Sequence, residues 1–198
     1  MNDKDTLANE TSNCFNIDLQ NCTFLGQGRN GHVYLLPDGK VLKIFFEEIY
    51  CKHEYDILQS VNENKHFPKV YEYKENCMIR EYIHGIPIKN YIETNGLNRN
   101  LIINIVNLIE DFRKSGFTKL DIRCAHIFIQ KDESIRVIDP RCTYTKVIPY
   151  PYSILKCLDR LDVLEKFFSC LKEIDNELFE NWNYRYIYDK SNKIHYWE

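Results

Sequence analysis

Between residues 22 and 46 the chain offers three strand-like runs, 22–25, 32–36 and 41–46, separated only by residues 26–31 and 37–40. Connections this short cannot hold the crossover of a dozen or more residues that parallel neighbours require, so the runs form an antiparallel meander. Two further runs, 69–73 and 77–82, flank the turn Lys74-Glu75-Asn76 and extend the expected sheet to five strands. Residues 47–61 read as a helix, with Ile57, Leu58 and Val61 on one apolar face. Glu54 lies three, four and seven residues before them and falls on that same face. A carboxylate on a burying face needs a cation beside it, because an uncompensated buried charge is expensive.

Gly85 and Pro87 then interrupt the pattern, which places a boundary at 83–86. The expected organisation is a flexible tail over 1–14, a strand-rich unit over 15–84 and a mainly helical unit over 85–198, an α+β chain. Within the second unit, 88–95 and 99–115 read as helices, and 152–180 is helical again. The end of the chain is rich in aromatics, with Tyr184, Tyr186 and Tyr188 alternating. That pattern suits either an amphipathic packing element or a partner surface.

Composition sets the outer limits. The 198 residues carry 26 Lys plus Arg against 29 Asp plus Glu, a net charge of −3, so nothing drives the chain generally toward nucleic acid or anionic membrane. No apolar run reaches the roughly 18 residues of a membrane span, and the first residues lack the apolar core of a signal peptide, so a soluble, cytoplasmic protein is expected. The eight cysteines are scattered without a CxxC, and the expectation is reduced, mostly buried thiols. Alanine occurs only twice while Ile, Asn, Lys and Tyr abound, a usage that points to a low-GC bacterial genome.

Three segments carry chemistry. Gly26-Gln27-Gly28-Arg29-Asn30-Gly31, with Val33 following, fits GxGxxGxV between two strands. Glycines there let backbone approach phosphates, although a glycine hairpin that binds nothing fits the pattern equally well. A strand follows where a dinucleotide-binding motif would need a helix, so a flap over phosphates suits it better. Lys43 sits inside the apolar strand 41–46 and is the natural partner for Glu54. Finally, Asp121 and His126 precede the apolar run 127–130, a polar turn 131–134 follows, and the run 135–138 ends at Asp139. A hairpin made of these runs brings His126 beside Asp139, with Asp121 in the adjoining loop.

Taken in order, GQGRNGHV, the lysine of VLKIF, Glu54 of EYDIL, PKVYEY with MIREYIHG, LDIRCAH and VIDPR resemble the protein kinase-like superfamily from about residue 21 to 141. The resemblance implies a bilobal kinase-like fold with a five-stranded N-lobe sheet plus one helix, and a reduced, mainly helical C-lobe. It implies that Gly26, Gln27, Gly28, Gly31 and Val33 cover the phosphates of ATP, and that Lys43, held by Glu54, contacts them. Glu81, Tyr82 and Ile83 would form the hinge that hydrogen-bonds adenine. Asp121 would be the catalytic base, Arg123 a charge stabiliser, and Asp139 the main Mg²⁺ ligand. The implied activity is ATP-dependent phosphotransfer to a protein or small-molecule hydroxyl, most like a small bacterial serine/threonine protein kinase.

The chain also departs from the family. His126 stands where the family has a metal-binding Asn, which weakens that site or shifts it toward a metal such as Mn²⁺. Asp139-Pro140-Arg141 replaces DFG, Lys119-Leu120 replaces the pair before the catalytic Asp, and no APE follows. Residues 142–198 leave little for a peptide-binding platform. These departures keep a second expectation open, a catalytically weak or inactive pseudokinase that binds nucleotide and regulates a partner through the aromatic tail.

Overall fold

Short turns fold the first part of the chain into an antiparallel meander in the computed structural model, which describes residues 14–140, 143–194 and 196. The chain is α+β and divides between Ile83 and His84 into two compact units. In the first unit the strands are β1 (Thr23–Gly28), β2 (Gly31–Leu35), β3 (Val41–Phe45), β4 (Val70–Lys74) and β5 (Cys77–Arg80). They form one antiparallel sheet in the order β1-β2-β3-β5-β4. Helix α1 (Glu48–Ser60) joins β3 to β4 and packs on the sheet.

The glycine-rich stretch is mostly strand. β1 runs to Gly28 and β2 starts at Gly31, which pair with each other, so only Arg29 and Asn30 form the turn. Gly31 is needed for packing, since a Cβ there would run into the Ile44 carbonyl of β3. The central strand β3 is buried on both faces, which explains its near-continuous apolar sequence. Leu42 and Ile44 lie in a core with Tyr34, Leu36, Cys77 and Ile79, over which Phe15, Ile17, Leu19 and Cys22 pack. Lys43 emerges on the opposite face, toward α1.

Residues 1–13 of the expected tail lie outside the described residues, and Cys14, which follows them, is buried in the first unit's core. One expectation fails here. Cys14 and Cys77 are joined as a disulfide, their Cα atoms 6.0 Å apart, where reduced thiols were expected. A separation of 63 residues left no spacing signal for that pairing. Cys22, Cys51, Cys124, Cys157 and Cys170 are free.

The second unit holds β6 (Ile86–Pro87), α2 (Ile88–Asn95), α3 (Arg99–Lys114), β7 (Ile127–Ile129) and β8 (Ile135–Val137). It continues with α4 (Tyr152–Arg160), α5 (Leu164–Ile174) and α6 (Asn176–Ser191). Helix α3 starts where Asn98 accepts a hydrogen bond from the Leu101 amide at 2.8 Å, and it buries seven apolar side chains, Leu101 to Phe112. The β7–β8 hairpin pairs Ile127 with Val137 and Ile129 with Ile135, and β6 adds to its free edge. At the hairpin tip Glu133 accepts hydrogen bonds from Tyr91 Oη at 2.7 Å and Asn98 Nδ2 at 2.6 Å, tying the turn to the helices.

The helical pattern over 152–180 is split at Leu161–Val163, where Asp162 takes a positive φ of 55°, and again at the extended Asp175. Through Ser191 the aromatic tail is helical. Tyr186 is buried against Tyr152 while Tyr184 is 71% exposed, and Trp182 stacks on Phe167. Among the described residues no helix is long and apolar enough to cross a membrane.

Candidate active site

The candidate residues fall into two sets, one in each unit. In the first unit, β3 and the inner face of α1 present Lys43 and Glu54 to each other. Lys43 Nζ donates to Glu54 Oε2 at 2.6 Å, with Lys43 only 5% and Glu54 3% exposed. The ammonium also lies 4.6 Å from the centre of the Phe45 ring. Cys51, one turn before Glu54, has its thiol pushed up to about 12 by burial and then by the Glu54 charge. A thiol held neutral adds no competing charge to the ion pair. Val33 lies across the β2–β3 ladder from Lys43 and is half-buried.

Gly26, Gln27 and Gly28 form the end of β1, and Gln27 and Gly28 are exposed. At the other end of the unit, Glu81 is partly committed. Its amide donates to the Lys69 carbonyl at 2.8 Å, and its carboxylate accepts from the Lys69 amide at 3.1 Å. Arg80, beside Glu81, is buried, and its Nε has no hydrogen bond among the described residues. The sequence reading did not single it out.

In the second unit, the loop before β7 carries Asp121, Arg123 and His126. Asp121 is 2% exposed, and Ser153 holds both of its oxygens. The Ser153 amide donates to Oδ1 and its hydroxyl to Oδ2, each at 2.8 Å. Ser153 lies in the first turn of α4, whose N-cap is Pro151, a residue with no side-chain cap to offer. The Asp121 carboxylate thus caps α4 from a distant loop, where the helix dipole favours an anion.

Arg123 is exposed and precedes the 3₁₀ turn Cys124–His126. The Ile138 amide donates to the His126 carbonyl at 2.9 Å, extending the hairpin and bringing the His126 side chain to Asp139. His126 Nε2 and Asp139 Oδ2 stand 3.8 Å apart. Asp139 adopts a left-handed backbone with φ 58°, a conformation uncommon outside glycine and often found at functional positions. Arg141 lies outside the described residues.

The donor set suits a metal held only in part by protein. No group of three or more His, Cys, Asp or Glu side chains positioned to hold an ion occurs among the described residues. Mg²⁺ commonly takes one or two carboxylates and completes its shell with phosphate oxygens and water, so Asp139 fits that role. The neighbouring imidazole nitrogen suits Mn²⁺ better.

A cavity of about 630 Å³ adjoins this loop within the second unit, lined by Lys89, Arg123, Ser153, Lys156 and Arg160 among others. Glu93 is the one carboxylate in its wall among the described residues, and it stands 3.6 Å from Lys89 Nζ. The Cys157 thiol, also in the wall, is drawn below its usual range by a hydrogen bond with Cys124, with Lys89 and Arg160 adding to the effect. Ser153, Lys156 and Arg160 escaped the sequence reading because they sit in a helix whose periodicity reports only its apolar face. No protein-family model matches this chain, and comparison with curated proteins finds no match.

Proposed function

We propose that the chain is an ATP-dependent phosphotransferase on the kinase-like plan, acting in the cytoplasm on a hydroxyl acceptor in the manner of a small serine/threonine protein kinase. The observation that carries this reading is the buried Lys43–Glu54 pair. Such a pair brings little net stability, because desolvating two charges offsets their attraction, and a well-packed apolar pair often serves the fold as well. A lysine fixed in direction by a buried carboxylate does serve to present a charge to phosphate.

In this reading Lys43 neutralises phosphate charge, Asp121 orients the attacking hydroxyl and takes its proton, and Arg123 supports charge on the transferred group. Asp139 and His126 would hold the metal, which supplies electrostatic stabilisation of phosphate oxygens when bound. Catalysis is then positioning plus electrostatics.

Calorimetric titration of ATP without metal, with Mg²⁺ and with Mn²⁺ tests the proposal. Metal-dependent binding that is lost in Asp139→Ala supports it. Absence of binding under every condition overturns it. One observation favours a nucleotide-binding pseudokinase instead: both oxygens of Asp121 already accept hydrogen bonds from Ser153. That reading predicts ATP binding without ADP formation, whereas the kinase forms ADP and loses that ability in Asp121→Asn.

A further inference from the structure

We propose that Ser153 is the chain's own phosphoacceptor, phosphorylated in cis from ATP and received by the basic cavity beside it. The inference rests on the phosphotransfer reading above and names a substrate for it. A catalytic carboxylate acts on the hydroxyl within hydrogen-bond reach of it, about 2.6–3.2 Å. The Ser153 hydroxyl donates to Asp121 Oδ2 at 2.8 Å, which is that geometry.

The reaction balances with ATP as the only co-reactant. Ser153 Oγ bonds to the γ-phosphorus as the bond from that phosphorus to the bridging oxygen breaks. ADP leaves with the electron pair, and the serine proton passes to Asp121 and then to solvent.

A second observation points to the product. A phosphoserine carries a charge of about −1.5 to −2 and three strong acceptor oxygens, so it needs cations and room. It cannot stay against the Asp121 carboxylate, because like charges at that separation repel. The cavity wall that contains Ser153 supplies the alternative. Arg123, Lys156 and Arg160 face the same space, as does Lys89, which pairs with Glu93 at 3.6 Å, the one carboxylate there among the described residues. Lys156 lies three residues after Ser153, hence next to it on the helix surface. Lys156 and Arg160 enter no ion pair among the described residues, and Lys156 lies 5.4 Å from the centre of the Tyr152 ring. The phosphate would also occupy the first turn of α4, the end of the helix that favours anions.

The experiment incubates the full-length protein with ATP and Mg²⁺ or Mn²⁺, follows ADP formation, and maps phosphate by mass spectrometry over a range of protein concentrations. The expected result is one phosphate on Ser153, formed with a rate constant independent of protein concentration. Asp121→Asn should abolish it, and Ser153→Ala should carry no phosphate while still binding ATP. Because Ser153→Ala also removes a bond at the start of α4, Lys156→Glu/Arg160→Glu provides a second check that leaves Asp121 and Ser153 intact. It should lower the yield on Ser153 several-fold without changing ATP affinity. ADP formation with Ser153 unmodified, or a rate that rises with protein concentration, overturns the inference and leaves phosphotransfer standing. No ADP under either metal overturns both.

Discussion

Lys43 and Asp121 are each buried against a partner that fixes their direction, but the partners do different work. Lys43 is held by a carboxylate on a helix, and removing one member of a buried pair costs about 3–5 kcal/mol. Lys43→Met should therefore destabilise the protein by about that amount in chemical denaturation. Adding Glu54→Leu should recover most of the stability without restoring ATP turnover, which separates the structural from the functional role. If the double variant turns over ATP normally, Lys43 has no catalytic part. Asp121 offers a cleaner separation. Asp121→Asn keeps acceptor capacity toward the Ser153 amide, so its melting should stay close to wild type while ADP formation falls. Asp121→Ala removes the cap and should cost about 1–2 kcal/mol as well.

Helices α4 and α6 are joined by a polar clasp that gives the second unit a defined response to acid. Asp159 accepts hydrogen bonds from Lys190 Nζ at 2.6 Å and from Tyr186 Oη at 2.9 Å. The Lys190 bond holds the Asp159 carboxyl below its usual 3.8; burial opposes it, and the Tyr186 hydroxyl and the Lys190 charge add to the lowering. A carboxylate whose pKa is lowered on folding contributes stability above its unfolded value and loses it as pH falls through the lowered one. The clasp should thus be intact above about pH 4 and fade below it. Its worth is small, about 0.2–1 kcal/mol, because both ends reach solvent. Acid titration followed by circular dichroism should show Asp159→Asn with a lower plateau near neutrality and a shallower decline below pH 4. Identical acid profiles for the two proteins would rule the clasp out as the sensor.

At the scale of the whole chain, two units with separate cores should report separately on damage. The Cys14–Cys77 bond closes a long loop in the first unit, and such cross-links are worth about 2–4 kcal/mol, mainly through the unfolded chain. Reductant should lower the stability of the first unit by that amount and leave signals from α3 to α6 unchanged. Under non-reducing alkylation, Cys14 and Cys77 should stay unlabelled while the exposed part of the thiol population reacts. Much of this organisation is legible in the amino-acid order. The turns at 29–30 and 75–76 define the meander, the period of the apolar residues defines α2 and α3, and alternation around 131–134 defines the β7–β8 hairpin. Even the Lys43–Glu54 pair follows from local pattern, because a carboxylate on an apolar helix face demands a nearby cation. The pairs that escape are those joining distant segments: Ser153 with Asp121 across 32 residues, and Cys14 with Cys77 across 63. The sequence by itself determined most of the strands, helices and turns, since each side chain's burial preference repeats with the period of its own element. Tertiary structure alone decided which loop carboxylate caps α4, which cysteines meet, and which cations share a cavity with Ser153. Those choices depend on how elements pack, a sum of many weak contacts that no single stretch of chain encodes.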